Sequence, residues 1–400
     1  MKNKYITASV TALLCVTAMF FGKKFLLKDY SCKTIKVGFV YIGDAGNAYT
    51  NNFIRAQIEL EEALKEKIQT VAKYNILESD CDNAIYDLIE QKCDLIFTTS
   101  YGYSQSAKRI AAEHPEVQFC QATGDQANVA PILPNFHNFM GTIYQGRYTA
   151  GVVAGMKLLD LISKGQIARN RAKIGYVAAF PYAEVISGYT AFFMGARSVI
   201  PEATMVVRYT DTWSNYVIEK KCAEKLIYQD GCVIVSQHSD TTGPAIACEE
   251  ASSKRGKTVF HVGYNQSMID VAPKTSLVSC RVNWAPYIID ACKAVLQNKT
   301  IESVAKTQIK GCDATAGFEK NWIEMIGLNT LIAAPGSSEE MEKIIKQFKS
   351  NSIEVFKGNY IGENPFDKND IWDLRTPFPE NKSRSAPSFC YVLRDVIEIK

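Results

Sequence analysis

The sequence predicts an α/β protein built from two similar lobes with parallel sheets. Apolar, β-rich runs alternate with amphipathic helical patterns from Ile35 to about Lys310, which is typical of parallel sheets covered by helices. A second β-α series begins at Lys173, after a polar and basic bridge that starts at Lys164. This restart indicates two lobes rather than one enlarged sheet.

The first β-α unit shows the pattern most clearly. Residues 35–42 form an apolar run of the length expected for a strand buried on both faces. A small, polar turn at 43–52 follows, and the spacing of apolar residues then becomes helical as far as Lys65. Because ligands bind at the carboxyl ends of the strands in doubly wound sheets, the turn at 43–52 is predicted to form one wall of a binding site.

The other elements are predicted from the same hydrophobic periodicities. The predicted strands cover residues 35–42, 94–98, 117–121, 139–143, 173–179, 204–209, 232–236, 258–262 and 276–280. The predicted helices cover residues 52–66, 81–92, 104–113, 145–160, 184–199, 216–229, 243–254, 285–297 and 338–350. After Gly311 the alternation weakens, and a tail rich in Pro, Asn and Asp leads to a last predicted strand at 389–398.

The composition is that of a globular protein, with 47% hydrophobic and 22% charged residues in a chain of 400. This length suggests two domains. Basic and acidic residues are well mixed along the chain, and the formal net charge is +3. No nucleic-acid partner is therefore predicted, since such a surface needs clustered Lys and Arg.

Residues 1–33 differ from the rest of the chain. Lys2 and Lys4 precede an uncharged apolar run from Tyr5 to Phe21, a pattern typical of an export signal or an uncleaved anchor. We therefore expect an exported, periplasmic or cell-surface protein that a lipid or this N-terminal segment tethers to the membrane.

The twelve cysteines form no CxxC pair and no Cys/His metal spacing. The following cysteines stand where small apolar core residues are expected: Cys93, Cys120, Cys222, Cys248 and Cys292. Buried free thiols are the favoured interpretation, although exported proteins can also form disulfides. None of the four histidines has an acid at metal-binding spacing, so neither a metal site nor a cofactor is predicted.

Ligand-type residues follow most of the predicted strand ends. They supply flat aromatic faces, carboxylates and amides, which suit a planar, polar heterocycle. The candidate ligand-binding residues are Asp44, Asn47, Tyr49, Tyr101, Tyr103, Phe180, Trp213, His238, Asp240, Asn265 and Trp284.

The consecutive residues His238, Ser239 and Asp240 have the side chains of a catalytic triad. The members of a triad, however, converge in space and rarely follow one another in a single turn. The chain contains no GxSxG elbow, no HExxH motif and no Walker loop. The sequence therefore predicts a binding cleft without catalysis, and an enzyme acting on nucleosides is the less favoured alternative.

At these loops the chain resembles the basic membrane protein (BMP) family of ABC-transporter solute-binding proteins, which includes purine nucleoside receptors. The resemblance covers most of the chain from about Ile35. It is carried by a GDxGxxY turn at 43–49 and by the segments 101–103, 111–115 with Phe119, 146–155, 175–181, 212–213, 237–240 and 263–265.

The resemblance implies a type I periplasmic-binding-protein fold, in which two Rossmann-like lobes joined by crossover strands close on a ligand. Residues 34–143, with about 265–310 returning, would form the first lobe, and 144–264 the second. Residues 311–400 would pack on both, and hinges are expected near 142–146 and 263–266. The implied protein is a monomer that delivers a purine nucleobase or nucleoside to a membrane ABC permease.

The family's base-stacking and edge-binding positions fall on Tyr49, Tyr101 or Tyr103, Phe180, Trp213, Asp240 and Trp284. Two residues depart from the pattern. Asn47 replaces an aromatic residue, and Ser267 replaces an Asp that is associated with ribose binding. The second change favours a free base. The alternative is a sensor or accessory binding protein of the same fold with a non-purine ligand.

Overall fold

The structure is a computed structural model that describes residues 34–399. The predicted export segment, with Cys15 and Cys32, lies outside the described residues. Among the residues that are described, no helix is long and apolar enough to cross a membrane.

The described chain alternates strands and helices over most of its length. The strands are β1 (Ile35–Val40), β2 (Ile68–Lys73), β3 (Leu95–Thr98), β4 (Gln118–Ala122), β5 (Phe136–Gly141), β6 (Lys173–Ala178), β7 (Thr204–Tyr209), β8 (Ile234–His238), β9 (Phe260–Tyr264), β10 (Ser276–Val282), β11 (Gln308–Lys310), β12 (Asp313–Ala316), β13 (Ile323–Ile326), β14 (Ile361–Asn364), β15 (Asp367–Asp373), β16 (Val392–Leu393) and β17 (Val396–Ile399). The helices are α1 (Ala48–Leu64), α2 (Cys81–Glu90), α3 (Ser104–Glu113), α4 (Ile143–Ser163), α5 (Ala183–Val199), α6 (Tyr216–Tyr228), α7 (Gly243–Arg255), α8 (Ala285–Leu296), α9 (Ile301–Ala305) and α10 (Ser337–Lys349).

Two seven-stranded sheets form the framework, which confirms the predicted α/β class. The first sheet has the order β11-β12-β5-β4-β3-β1-β2, and the second has the order β13-β10-β9-β8-β6-β7-β17. Pairing is parallel except for the edge pairs β11-β12 and β10-β13. The orders reverse direction beside β1 and β6, the strands that open the two predicted β-α series. Ligand sites are expected at such reversals.

The chain crosses between the sheets at 141–143, at 282–285 and at 316–323. The crossings lie side by side: Thr142 N donates to Ala316 O at 2.9 Å, and Asn283 N donates to Trp322 O at 2.7 Å. Changes in the relative position of the lobes must therefore be absorbed at these three short segments.

Two sequence-based boundaries need correction. β10 pairs in parallel with β9 in the second sheet, so the chain returns to the first sheet after Val282 and not from about 265. The expected hinge at 142–146 lies at a crossing between the sheets. The other expected hinge, at 263–266, lies at the end of β9 and not at a crossing. A strand's own periodicity does not reveal which sheet it joins, and only a short connection without a helix separates β9 from β10.

The C-terminal residues contribute to the framework. β17 pairs in parallel with β7 and extends the second sheet, while β14, β15 and β16 form a small antiparallel sheet. The sequence did not predict β2, an edge strand whose residues are mostly only half-buried. The predicted burial of Cys93, Cys120, Cys222, Cys248 and Cys292 is confirmed.

The packing of α4 on α5 brings their backbones close together. A Cβ atom on Gly151 would overlap the carbonyl of Phe192, and one on Gly195 would overlap the carbonyl of Tyr148. Glycine is required at both positions because any side chain would push the helices apart. This packing fixes α4, which carries Arg147 beneath the ligand cavity described next.

Candidate ligand-binding site

The carboxyl ends of strands from both sheets face a cavity of about 330 Å³. Its lining comprises Ile42, Gly43, Asp44, Asn47, Tyr49, Asn75, Ser100, Tyr101 and Thr123 from the first lobe, and Glu184, Trp213, Ser214, His238, Asp240 and Tyr264 from the second. The predicted wall at 43–52 is therefore one side of this cavity.

The cavity brings together most of the candidate residues. Those that line it are Asp44, Asn47, Tyr49, Tyr101, Trp213, His238 and Asp240. Glu184 and Tyr264 were not among the candidates, although both lie shortly after the ends of predicted strands, at 173–179 and 258–262. Asn75 follows β2, the strand that the sequence did not reveal, so no signal pointed to it.

Four candidates do not line the cavity. Tyr103 is buried on the other face of the first sheet, where its hydroxyl donates to Ile76 O. Trp284 is buried and stacks on Phe53 at 4.4 Å between ring centres. Phe180 packs edge-on against the lining residue Trp213. The fourth, Asn265, stands behind Asp240. Sequence position after a strand does not tell whether a side chain turns into the cleft or into the core.

Asp240 is hydrogen-bonded by an amide group of its own lobe. Asn265 Nδ2 donates to Asp240 Oδ1 at 3.1 Å, and the nearby side chain of Asn47, from the first lobe, also favours the ionised carboxylate. Asn52, on α1, donates to Asn265 O at 3.0 Å. Burial, followed by the nearby charge of Glu219, raises the pKa of Asp240 to about 7. Asp240 therefore changes its charge near neutral pH.

Asn265 adopts a left-handed backbone conformation, with φ of +64°. This conformation is uncommon for residues other than glycine but is tolerated by asparagine. It places the side chain of Asn265 against Asp240 while its carbonyl faces Asn52. The residue thereby links the loops of the two lobes.

Glu219, a buried residue of α6, holds the loop that carries Asp240. Its Oε2 accepts from Ser239 Oγ at 2.8 Å, from Thr241 Oγ1 at 2.7 Å and from Thr241 N at 3.1 Å. Its Oε1 accepts from Asn215 N at 2.9 Å. Burial raises the pKa of Glu219, and these hydrogen bonds oppose that rise.

His238 is the last residue of β8, two residues beyond the predicted end of that strand. Burial, followed by the charge of Arg147, lowers its pKa to about 4, so the ring is neutral at neutral pH. Its Nε2 lies 3.5 Å from Glu184 Oε1 but forms no well-aligned hydrogen bond within the described residues. A buried ring nitrogen beside a lining carboxylate is thus left available to a ligand.

Arg147 supports the floor of the cavity from α4. Its guanidinium carbon lies 3.7 Å from the centre of the Tyr264 ring, and its Nη1 donates to Gln237 O at 2.8 Å. The contact with the ring is a cation–π interaction in a buried setting, where such contacts are strongest. It orients Tyr264 and keeps a positive charge close to His238.

The first-lobe side of the cavity is shaped by a polar turn and an aromatic ring. Asp44 is exposed at the rim; its Oδ1 accepts from Gly46 N at 2.9 Å and its Oδ2 from Asn75 Nδ2 at 3.1 Å. These hydrogen bonds lower the pKa of Asp44 and fix the turn. Tyr49 donates its hydroxyl hydrogen to Thr99 O at 2.6 Å, which fixes the ring at the cavity wall.

His238, Ser239 and Asp240 do not form a catalytic triad. Ser239 Oγ donates to Glu219, and Asp240 is bound by amides rather than by an imidazole. Ser239 Oγ is therefore bonded to a carboxylate that holds the loop, and not to the imidazole that a triad requires. The arrangement can bind a ligand through polar edges and aromatic faces.

Several known proteins are similar to this chain in sequence. The sequence model of the family described as ABC transporter substrate-binding protein PnrA-like (Bmp) matches residues 51–357. A purine-binding protein of Brucella abortus is 35% identical over 264 residues, which are 66% of this chain and 69% of that protein. A candidate ABC transporter glucose-binding protein of Haloferax volcanii is 30% identical over 258 residues, 64% of this chain and 59% of that protein.

The solved structures show the fold. An ABC transporter solute-binding protein from Aeropyrum pernix superposes with a TM-score of 0.64 at 14% identity, covering 84% of this chain and 95% of its own. The predicted type I periplasmic-binding-protein fold is thereby confirmed.

The contacts of Glu219 predict a specific loss of stability. Glu219→Ala leaves Ser239 and Thr241 without their buried acceptor, so we expect the free energy of unfolding to fall by about 1–3 kcal/mol. Guanidinium denaturation measures this. Glu224→Ala, on the same helix but half-exposed and paired with Lys220, is the control and should cost less than about 1 kcal/mol. Equal losses in both variants would contradict the role given to Glu219.

Proposed function

Because the chain belongs to the Bmp family of PnrA-like ABC transporter substrate-binding proteins, we propose that it binds a purine nucleobase or nucleoside between its lobes and delivers it to a membrane permease. The observation that carries the proposal is the cavity itself, which combines the Trp213 ring with the polar groups of Asp240, Glu184 and His238. The name of the Brucella relative, a purine-binding protein, supports the same ligand class.

Aromatic side chains at the cavity suit a flat heterocycle. Trp213 is half-buried and is held by Phe180 at 5.4 Å between ring centres, while Tyr101 lies on the first-lobe side. Stacking of a base on an aromatic ring contributes about 1–3 kcal/mol. Such a contact favours purines as a class without selecting among them.

The polar groups would select the ligand through its edge. Asp240 and Glu184 can accept hydrogen bonds from ring and exocyclic N–H groups, and neutral His238 can accept or donate one at Nε2. A ligand that fails to match them would leave buried polar groups unpaired, which costs about 1–3 kcal/mol for each group. A cavity of about 330 Å³ is near the lower end of the range for small-molecule sites and suits a nucleobase better than a large ligand.

A hexose is the second candidate ligand. The Haloferax relative is named for glucose binding, and an aromatic ring with neighbouring carboxylates also suits a sugar. Because this chain spans less than two thirds of that relative, we rank the hexose below the purine.

The family is extracytoplasmic, and its members work with a membrane permease and a small-molecule ligand. For this chain we propose that the apolar run at 5–21 directs export and tethers the protein to the membrane. The lobes would close on the ligand by rotation at the crossings near 142, 283 and 317.

Calorimetry of the full chain tests the ligand class. We expect binding at micromolar concentrations or tighter for at least one of adenine, guanine, hypoxanthine, adenosine, guanosine and inosine, and weaker or no binding of glucose. Nucleosides that bind no better than their free bases would agree with the loss of the carboxylate at Ser267. Binding of glucose without binding of any purine would refute the proposal in favour of the hexose.

The stacking role of Trp213 can be measured on the ligand found in that experiment. Trp213→Ala should weaken its affinity about fivefold to about 150-fold, since a stack worth about 1–3 kcal/mol is lost. Trp213→Phe keeps an aromatic face and should retain most of the affinity. Trp372→Ala, in the small C-terminal sheet, is the control and should leave the affinity unchanged. No loss in Trp213→Ala would show that the ligand does not stack there.

The raised pKa of Asp240 predicts that affinity depends on pH. If the ionised carboxylate accepts a purine N–H, affinity rises as Asp240 loses its proton through its pKa of about 7. Between about pH 6 and about pH 8 the ionised fraction rises about tenfold, and so should the affinity for a purine that does not itself titrate there. His238, with a pKa of about 4, does not change its charge in this range.

Asp240→Asn is the control for this dependence. The variant keeps the shape of the side chain but cannot titrate, so its affinity should be lower and nearly constant with pH. Affinity of the wild type that falls with rising pH would contradict the role of the carboxylate as the acceptor.

A further inference from the structure

A cluster of metal-ligand side chains lies in the first lobe, away from the ligand cavity. One ligand atom each from His137, Glu302 and Cys312 lies within 4.8 Å of the other two. These residues are far apart in sequence, so their spacing gave no signal. We propose that His137, Glu302 and Cys312 form a structural Zn²⁺ site, which extends beyond the proposed transport function.

The orientation of His137 suits a metal ligand. The residue is 2% exposed, its Nδ1 lies 2.6 Å from Glu302 Oε1, and its Nε2 lies 3.0 Å from the side-chain oxygen of Gln118. When the hydrogen of a neutral ring is on Nε2 and is donated to Gln118, the lone pair of Nδ1 faces the carboxylate and is available to a cation that both groups can bind. Histidine ligands of zinc typically have their second nitrogen held by such an oxygen.

The ligand types select the metal. Imidazole nitrogen, carboxylate oxygen and thiolate sulfur are the three ligand types of protein zinc sites, whereas Mg²⁺ and Ca²⁺ prefer oxygen alone. The carboxylate and the thiolate together balance the two positive charges of Zn²⁺. Because cysteine binds metals as the thiolate, Zn²⁺ displaces the thiol proton of Cys312, which leaves to solvent.

The position in the fold explains what the metal would do. His137 is the second residue of β5, Cys312 directly precedes β12, and Glu302 lies on the short helix α9. The cluster therefore lies at the amino-terminal edge of the first sheet, opposite the edge that faces the ligand cavity. A metal ion here would fasten α9 and the chain around β11 to that edge, and water or another group would complete its coordination.

Metal analysis of the full chain tests this site. Protein treated with a chelator and a reductant, then dialysed against Zn²⁺, should hold one ion that is lost in Cys312→Ser and in His137→Gln. Replacing Zn²⁺ by Co²⁺ should give the absorption of a cobalt–thiolate bond in the wild type and not in Cys312→Ser. Gln118→Ala should weaken Zn²⁺ binding about tenfold to a hundredfold, as expected for a residue that orients a ligand.

Two matched variants serve as controls. His114→Gln removes another histidine that faces a carboxylate, Glu116 at 3.1 Å, and Cys390→Ser removes another half-buried thiol. Both should keep the ion. Absence of a bound ion in the wild type, or equal retention in Cys312→Ser and Cys390→Ser, would overturn the proposal and leave His137 and Glu302 as a hydrogen-bonded pair. Circular dichroism checks that each variant is folded. Ligand binding is measured separately by calorimetry, so a failure of the Zn²⁺ proposal does not bear on the transport proposal.

Discussion

The hydrogen bonds around Asp240 are the contact on which the ligand site depends. Asn265 of the second lobe binds this carboxyl group, the nearby side chain of Asn47 in the first lobe favours its ionised form, and Asn52, also of the first lobe, binds Asn265 in turn. A carboxylate in a partly buried position is costly unless it is hydrogen-bonded, so the amides are what allow it to stay at the cavity. The same contacts bring together the loops that follow β1, β8 and β9, and a ligand in the cavity would touch all three.

The charges around the cavity are arranged for binding. Arg147, beneath Tyr264, lies close to His238 and helps to keep that ring neutral. Glu219 satisfies the hydroxyl and amide groups of the loop at 239–241 and, by its own charge, makes Asp240 easier to protonate. Each polar group in the cavity can therefore accept or donate a hydrogen bond at neutral pH, while the hydroxyl of Ser239 is bonded to Glu219 and not to His238.

The sequence predicted the framework more completely than the site. Most helices and strands of the two lobes follow from hydrophobic periodicity, but β2 did not, because an edge strand buries too little to show a clear pattern, and Asn75 was missed with it. The partner of β10 was also not predictable, since periodicity does not specify which sheet a strand joins. At the site, Trp213 and Asp240 were predicted to line a cleft and do so, whereas Trp284 and Tyr103 turn into the core. His137 shows the remaining limit: its acid and thiol neighbours lie more than a hundred residues away in sequence and are brought together only by the fold.

The central claim is that a purine binds between the lobes with its ring on Trp213 and its edge at Asp240. A crystal structure of the full chain with the purine that binds most tightly tests it directly. We expect density for the base in the cavity, with its plane against the Trp213 ring and a ring or exocyclic N–H within hydrogen-bond distance of the Asp240 carboxylate. An empty cavity at saturating purine, or a base bound elsewhere on the protein, would contradict it.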